Sequence, residues 1–100
     1  MLVEFSILPV GKGESLSEVV ANVVAIVAKS GLPYKVTEMG SIVEGEWEDV
    51  FALIKRCHAA VMTEAGRAVT TVKIDDRKGR SDLLKTRLAS LEAKAGRFNQ

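Results

Sequence analysis

The sequence predicts an α+β sandwich: a four-stranded antiparallel sheet with two helices on one face, followed by a C-terminal helix. Three observations carry this. Segments of period two alternate with segments of helical period in the order βαβ, βαβ, helix. The two βαβ units have about the same length, which suggests a pseudo-repeat. The chain has 100 residues, 47% of them hydrophobic and 27% charged, enough for one domain with a single modest core and too few for two.

The elements follow in order. In a first strand from Leu2 to Val10, Val3, Phe5 and Ile7 point to one face and Glu4, Ser6 and Leu8 to the other. Pro9 and then Gly11-Lys12-Gly13 end it. Ser15-Leu16-Ser17-Glu18 fits a capping box. The helix it opens carries Leu16, Val20, Val23, Val24 and Val27 on one stripe, with Gly31 as a left-handed C-terminal residue and Pro33 blocking continuation. So many β-branched residues lower helix propensity, so burial must hold this helix. Tyr34 to Glu38 and Ser41 to Glu44 read as a hairpin about a turn at Met39-Gly40.

Gly45-Glu46-Trp47-Glu48-Asp49 starts a second helix, whose carboxylates complement the helix dipole. Its stripe is Val50, Leu53, Ile54, Cys57 and Val61, and Gly66 ends it. Ala68 to Asp75 is a fourth strand, with Thr70, Val72 and Ile74 opposed to Val69, Thr71 and Lys73. After a charged loop, Asp76-Arg77-Lys78-Gly79-Arg80, Ser81 caps a last helix with Leu84, Leu88, Leu91 and Ala95 on one face; Gly96 ends it and residues 97–100 form a loose tail.

The simplest closed solution is a ferredoxin-like βαββαβ sandwich, one domain over residues 1–96. Its second sheet face stays open and would carry Leu8, Val43 and Val69 beside Glu4, Ser6, Thr71 and Lys73. A partly apolar open face calls for a partner, most simply another copy of the chain.

Composition excludes several functions. With 14 Lys and Arg against 13 Asp and Glu, the net charge is +1, which argues against a strongly basic nucleic-acid surface and an acidic tail. Aromatics amount to 5%, a poor supply for stacking bases. One cysteine, Cys57, excludes an internal disulfide and a cysteine-rich zinc site. The longest apolar stretch, Val19 to Ala28, is broken by Asn22 and falls short of the roughly 20 residues of a membrane span. No signal peptide is apparent, so a soluble cytoplasmic protein is expected.

The chemistry-bearing residues each have a plain structural reading. Gly11-Lys12-Gly13 could cradle an anion before the first helix, but lacks a dinucleotide or P-loop pattern and reads better as a turn. Cys57 and His58 are adjacent on a helix and point about 100° apart, so they read as a core residue and its flank, not a catalytic pair. Glu46, Glu48 and Asp49 serve the helix dipole. Glu44 ends a strand just before a glycine, where it is either structural or a carboxylate for a cation or an aromatic amine. Asp75 and Asp76 lack a third metal ligand at a supporting spacing. Lys73 shares a sheet face with Glu4 across neighbouring strands, a pair worth at most about 1 kcal/mol if exposed. Arg77, Lys78 and Arg80 either bind a phosphate or stay solvated, the usual fate of such a run.

Several runs together resemble the small thiamine-binding protein family, the single-domain relatives of the YkoF-like thiamine and hydroxymethylpyrimidine binders. They are Glu4-Phe5-Ser6 with Pro9 and Gly11, Tyr34, the hairpin run Thr37-Glu38-Met39-Gly40-Ser41-Ile42-Val43-Glu44-Gly45-Glu46-Trp47, and Val72-Lys73-Ile74-Asp75-Asp76-Arg77. The likeness covers roughly residues 2–95. It implies a ferredoxin-like fold, homodimers pairing into tetramers, thiamine or a related pyrimidine bound near subunit interfaces, and no established catalytic activity. Neither a metal nor a resident cofactor is expected.

Carried onto this chain, the ligand-binding candidates are Ser6, Leu8, Tyr34, Thr37, Met39, Ser41, Val43 and Glu44. Hydroxyls and a carboxylate suit the aminopyrimidine edge, and Met39 or Tyr34 suits a ring face. Strand alternation puts Ser41 and Glu44 on opposite faces unless a bulge intervenes. Two competing readings are a regulatory or scaffolding homo-oligomer without a ligand, and a small enzyme whose general base would be Glu44, His58 or the Asp75-Asp76 pair.

Overall fold

Alternation in the first strand settles which side of the sheet is covered. Val3 and Phe5 are fully buried while Glu4 and Leu8 are exposed, so one face of the strand packs and the other does not. The computed structural model describes residues 1–11 and 16–79. Its elements are β1 (Leu2–Val10), α1 (Leu16–Ala28), β2 (Tyr34–Thr37), β3 (Gly40–Glu44), α2 (Trp47–Glu64) and β4 (Arg67–Asp75). The four strands form one sheet in the order β2-β3-β1-β4, with every neighbouring pair antiparallel. That is the ferredoxin-like arrangement the element order predicts. The proposed Ser15 cap, the Lys12-Gly13 turn, Arg80, and the C-terminal helix and tail lie outside the described residues.

The core lies between the sheet and the helices. Val3, Phe5 and Val43 from the sheet meet Val27 of α1 and Val50, Leu53, Ile54 and Cys57 of α2. The buried line of α2 adds Val61 and matches the predicted stripe residue for residue.

Three local expectations shift. Val43 belongs to the core, not the open face: it pairs with Val3 in the register and has no exposed surface. Its neighbour Ile42 is apolar too, so alternation along the strand does not choose the face, and pairing with β1 does. The turn also moves. Thr37 pairs with Gly40, so Glu38 and Met39 form the loop. α1 is also rotated from its expected stripe. Val19 and Val27 are its buried residues, whereas Leu16 and Val20 are nearly half exposed. α2 stops at Glu64, with Ala65 as an extended C-cap directly before Gly66. α1 does close as expected: Gly31 has φ +83°, and the Ser30 hydroxyl donates to the Val27 carbonyl and accepts from the Leu32 amide.

Candidate functional site

The sheet has a notch. β1 pairs with β4 over all of Leu2–Val10 but with β3 only from Leu2 to Phe5. Beyond Phe5 the hairpin has turned back and β1 runs on without a neighbour on that side. α1 crosses above this gap and leaves a groove of about 370 Å³, within the general range of small-molecule sites.

Three segments line the groove: Phe5 to Pro9 of β1, Val36 to Ser41 of the hairpin, and Leu16, Val20, Val23 and Val24 of α1. The helix therefore has two apolar sides. Val19 and Val27 run one way into the core, Leu16, Val20 and Val24 run another way along the groove, and Val23 borders both. The β-branched richness of α1 thus supplies a groove wall as well as a core face.

Gly40 sets the closeness of the hairpin to β1. A Cβ there would lie 2.6 Å from the Phe5 carbonyl oxygen, and its φ of +154° suits glycine alone. Thr37 locks the turn from within. Its hydroxyl donates to the Gly40 carbonyl at 3.0 Å and accepts from the Met39 amide at 3.2 Å. Met39, 82% exposed, stands at the lip.

Of the eight residues singled out from sequence, Ser6, Leu8, Thr37, Met39 and Ser41 line this groove. Tyr34, Val43 and Glu44 do not. Tyr34 is partly exposed at the start of β2, and Val43 is core. Glu44 is buried, and the register sets it opposite Leu2, on the face away from Ser41. The groove also uses residues not singled out: Ile7, Pro9, Glu38 and the α1 wall. An amphipathic reading that assigns one apolar face per helix misses that wall. The signal available was an apolar surplus on α1 too wide for one stripe.

Ser41 has a special position. It is 5% exposed and shares the helix-facing side with Phe5, its register partner. Its hydroxyl has no hydrogen-bond partner among the described residues, yet no polar side-chain atom there is both sealed from solvent and unpaired. The oxygen therefore opens onto the groove it lines.

The other candidates lie elsewhere. Cys57 is fully buried, and desolvation pushes its thiol up to about 11, opposed more weakly by the Arg56 charge. It holds no thiolate at neutral pH and is not a nucleophile. His58 Nδ1 lies 2.6 Å from the Thr70 hydroxyl, which ties α2 to β4. Trp47 stacks on Phe51 at 5.2 Å and 14°, at the start of α2.

On the open face, the register sets Glu4 opposite Lys73. A shallower hollow of about 590 Å³ there is lined by these two with Leu2, Ile42, Ile74, Asp75 and Asp76. Arg77 Nε approaches Asp75 at 3.8 Å, both half-exposed, a pair of little energetic weight. Among the described residues, no group of three or more His, Cys, Asp and Glu could hold a metal, and no helix is long and apolar enough to cross a membrane.

Comparison with known proteins bears on the whole chain. A family model described as thiamine-binding protein matches residues 3–92. The chain belongs to the thiamine-binding protein family. Its relatives include a UPF0045 protein of Mycobacterium bovis, 36% identical over 92% of this chain and 91% of that one. A UPF0045 protein of Methanocaldococcus jannaschii is 30% identical, covering 91% of each. A crystal structure of a hypothetical protein of that archaeon superposes with a TM-score of 0.81 at 30% identity, covering 90% of this chain and 93% of the other. A candidate thiamine biosynthesis or salvage protein of Thermotoga maritima shares the fold with a TM-score of 0.75 at 24% identity, covering 88% of this chain and 96% of the other. None of these proteins bears an enzyme name.

Proposed function

We propose that the protein binds thiamine or a related pyrimidine such as hydroxymethylpyrimidine, without catalysis, in the groove between α1 and the β2–β3 hairpin. One observation carries the reading: an apolar groove of ligand size holds an unpartnered hydroxyl, Ser41, at its base. Leu16, Val20 and Val24 on one side and Met39 on the other suit the faces of a flat heteroaromatic ring. Glu38 is the one carboxylate among the described lining residues, and it suits the positive thiazolium. Membership of the thiamine-binding protein family supports the same ligand class.

A binding role fits better than catalysis because Cys57 and His58 are engaged elsewhere in the fold. The groove is proposed to work in a homo-oligomer, dimeric or tetrameric. The exposed Met39 at its lip, and Leu8 and Val69 on the open sheet face, support contacts between copies near the ligand.

Isothermal titration of the full chain with thiamine and with hydroxymethylpyrimidine tests this. The expected result is saturable heat and a raised melting temperature, since ligand at a hundredfold its Kd stabilises by about 2.7 kcal/mol. No heat and no thermal shift at millimolar ligand would overturn the reading.

A further inference from the structure

At the notch an inner strand of the sheet, β1, runs past the end of its neighbour β3. In an antiparallel strand, a residue's N–H and C=O both point to the same neighbour, and the direction alternates along the chain. The Met1 amine donates to the Gly45 carbonyl, and the Gly45 amide donates to the Met1 carbonyl. Odd-numbered residues of β1 therefore face the β3 side. Val3 and Phe5 find partners there in Val43 and Ser41. Ile7, the next in the series, does not, because the ladder has ended. Its amide and carbonyl point into the gap where the groove lies.

The lining has the same signature. Five consecutive residues, Phe5 to Pro9, border the groove. Alternate side chains of a strand cannot all face one cavity, so the main-chain edge itself forms this wall. Beyond Ile7, Pro9 has a carbonyl but no N–H, so the free edge cannot extend a ladder. The edge amounts to one donor and one acceptor on a single residue, plus a lone carbonyl. That is too short to recruit a peptide strand and the right length for one edge of a small ring.

We infer that the Ile7 amide and carbonyl, with the Ser41 hydroxyl, read the edge of a 4-aminopyrimidine and so select the amino form of the ring over its 4-oxo counterpart. This rests on the binding reading above. A 4-aminopyrimidine presents a ring nitrogen that accepts next to an exocyclic amine that donates. Ile7 offers the complement, an N–H that donates and a C=O that accepts. In the 4-oxo ring the pattern inverts: the ring nitrogen carries a proton and the exocyclic oxygen accepts. Donor then meets donor and acceptor meets acceptor. A site built to hydrogen-bond one edge rejects the other strongly, because its own groups are left desolvated and unpaired.

The test is a titration of the unmodified protein with thiamine and with oxythiamine, its 4-oxo analogue. Thiamine is expected to bind at least about tenfold more tightly. Equal affinity would overturn the inference while leaving the binding reading intact. Binding of neither would remove that reading and the inference with it. Ser41→Ala is expected to weaken thiamine binding roughly three- to tenfold. Ile7→Pro deletes the amide that faces the notch and no donor of the β1–β4 ladder. If the variant folds, as far-ultraviolet circular dichroism would show, it should lose most discrimination between the two ligands, and retained discrimination would count against the inference.

Discussion

The two βαβ halves, β1-α1-β2 and β3-α2-β4, share a connectivity and use their helices differently. α2 buries Val50, Leu53, Ile54, Cys57 and Val61 over 18 residues and ties itself to β4 through His58 and Thr70. α1 buries only Val19 and Val27 over 13 residues, although nearly every position from Val19 to Ala28 is apolar. α2 behaves as a sheet cover, with one stripe inside and a mainly polar outer side on which Trp47 and Met62 are the exposed large apolar residues. α1 has more apolar surface than the core uses, and the surplus faces a cavity. A helix whose apolar arc exceeds what the core buries is a mark of a ligand wall, because such surface stays in contact with water only at a free-energy cost.

The strongest way to break this contrast is to remove core volume from α2. Leu53→Ala deletes a side chain that is 2% exposed and should cost about 2–5 kcal/mol, read as a lower urea midpoint. A cost under about 1 kcal/mol would mean that α2 is not the anchoring half.

Next comes the hinge between the halves. Gly40→Ala forces a Cβ to within 2.6 Å of the Phe5 carbonyl at a φ of +154°. The chain must then strain there or lift the hairpin from β1. A loss of about 1–3 kcal/mol is expected, with weaker ligand binding because the hairpin wall moves. Full stability with full binding would show that the hairpin need not approach β1 so closely.

Where sequence reading succeeded and where it stopped follows the same division. The α2 stripe was legible because one helical period accounts for every buried residue. β1 was legible because polar and apolar residues alternate cleanly over Val3 to Ile7. β3 was not, since Ile42 and Val43 are both apolar and the face is set by pairing with the distant β1, where Val43 stands opposite Val3. Five candidate site residues fell in the groove because their segment forms its rim. The free edge at Ile7 had no side-chain signature. It exists because β3 ends its pairing at Phe5, a consequence of relative strand lengths that no single residue announces.

The finest test of the contrast is Val20→Ala, on the groove side of α1. Val20 is 47% exposed, so truncation removes little buried area and leaves no closed cavity. Alanine is also the better helix former, because valine loses side-chain freedom in a helix. These effects oppose one another, and stability should change by less than about 0.5 kcal/mol in urea denaturation. Binding should respond more. With ligand present, the side chain would be covered, and each buried methylene-sized group is worth roughly 0.8 kcal/mol. The two lost carbons, partly covered, then correspond to an affinity loss of about fivefold. The matching change on the core side, Val27→Ala, should do the reverse, since Val27 is fully buried and does not line the groove. If Val20→Ala destabilised the chain as much as Val27→Ala does, the two faces of α1 would be equivalent. The surplus apolar arc would then belong to the core after all.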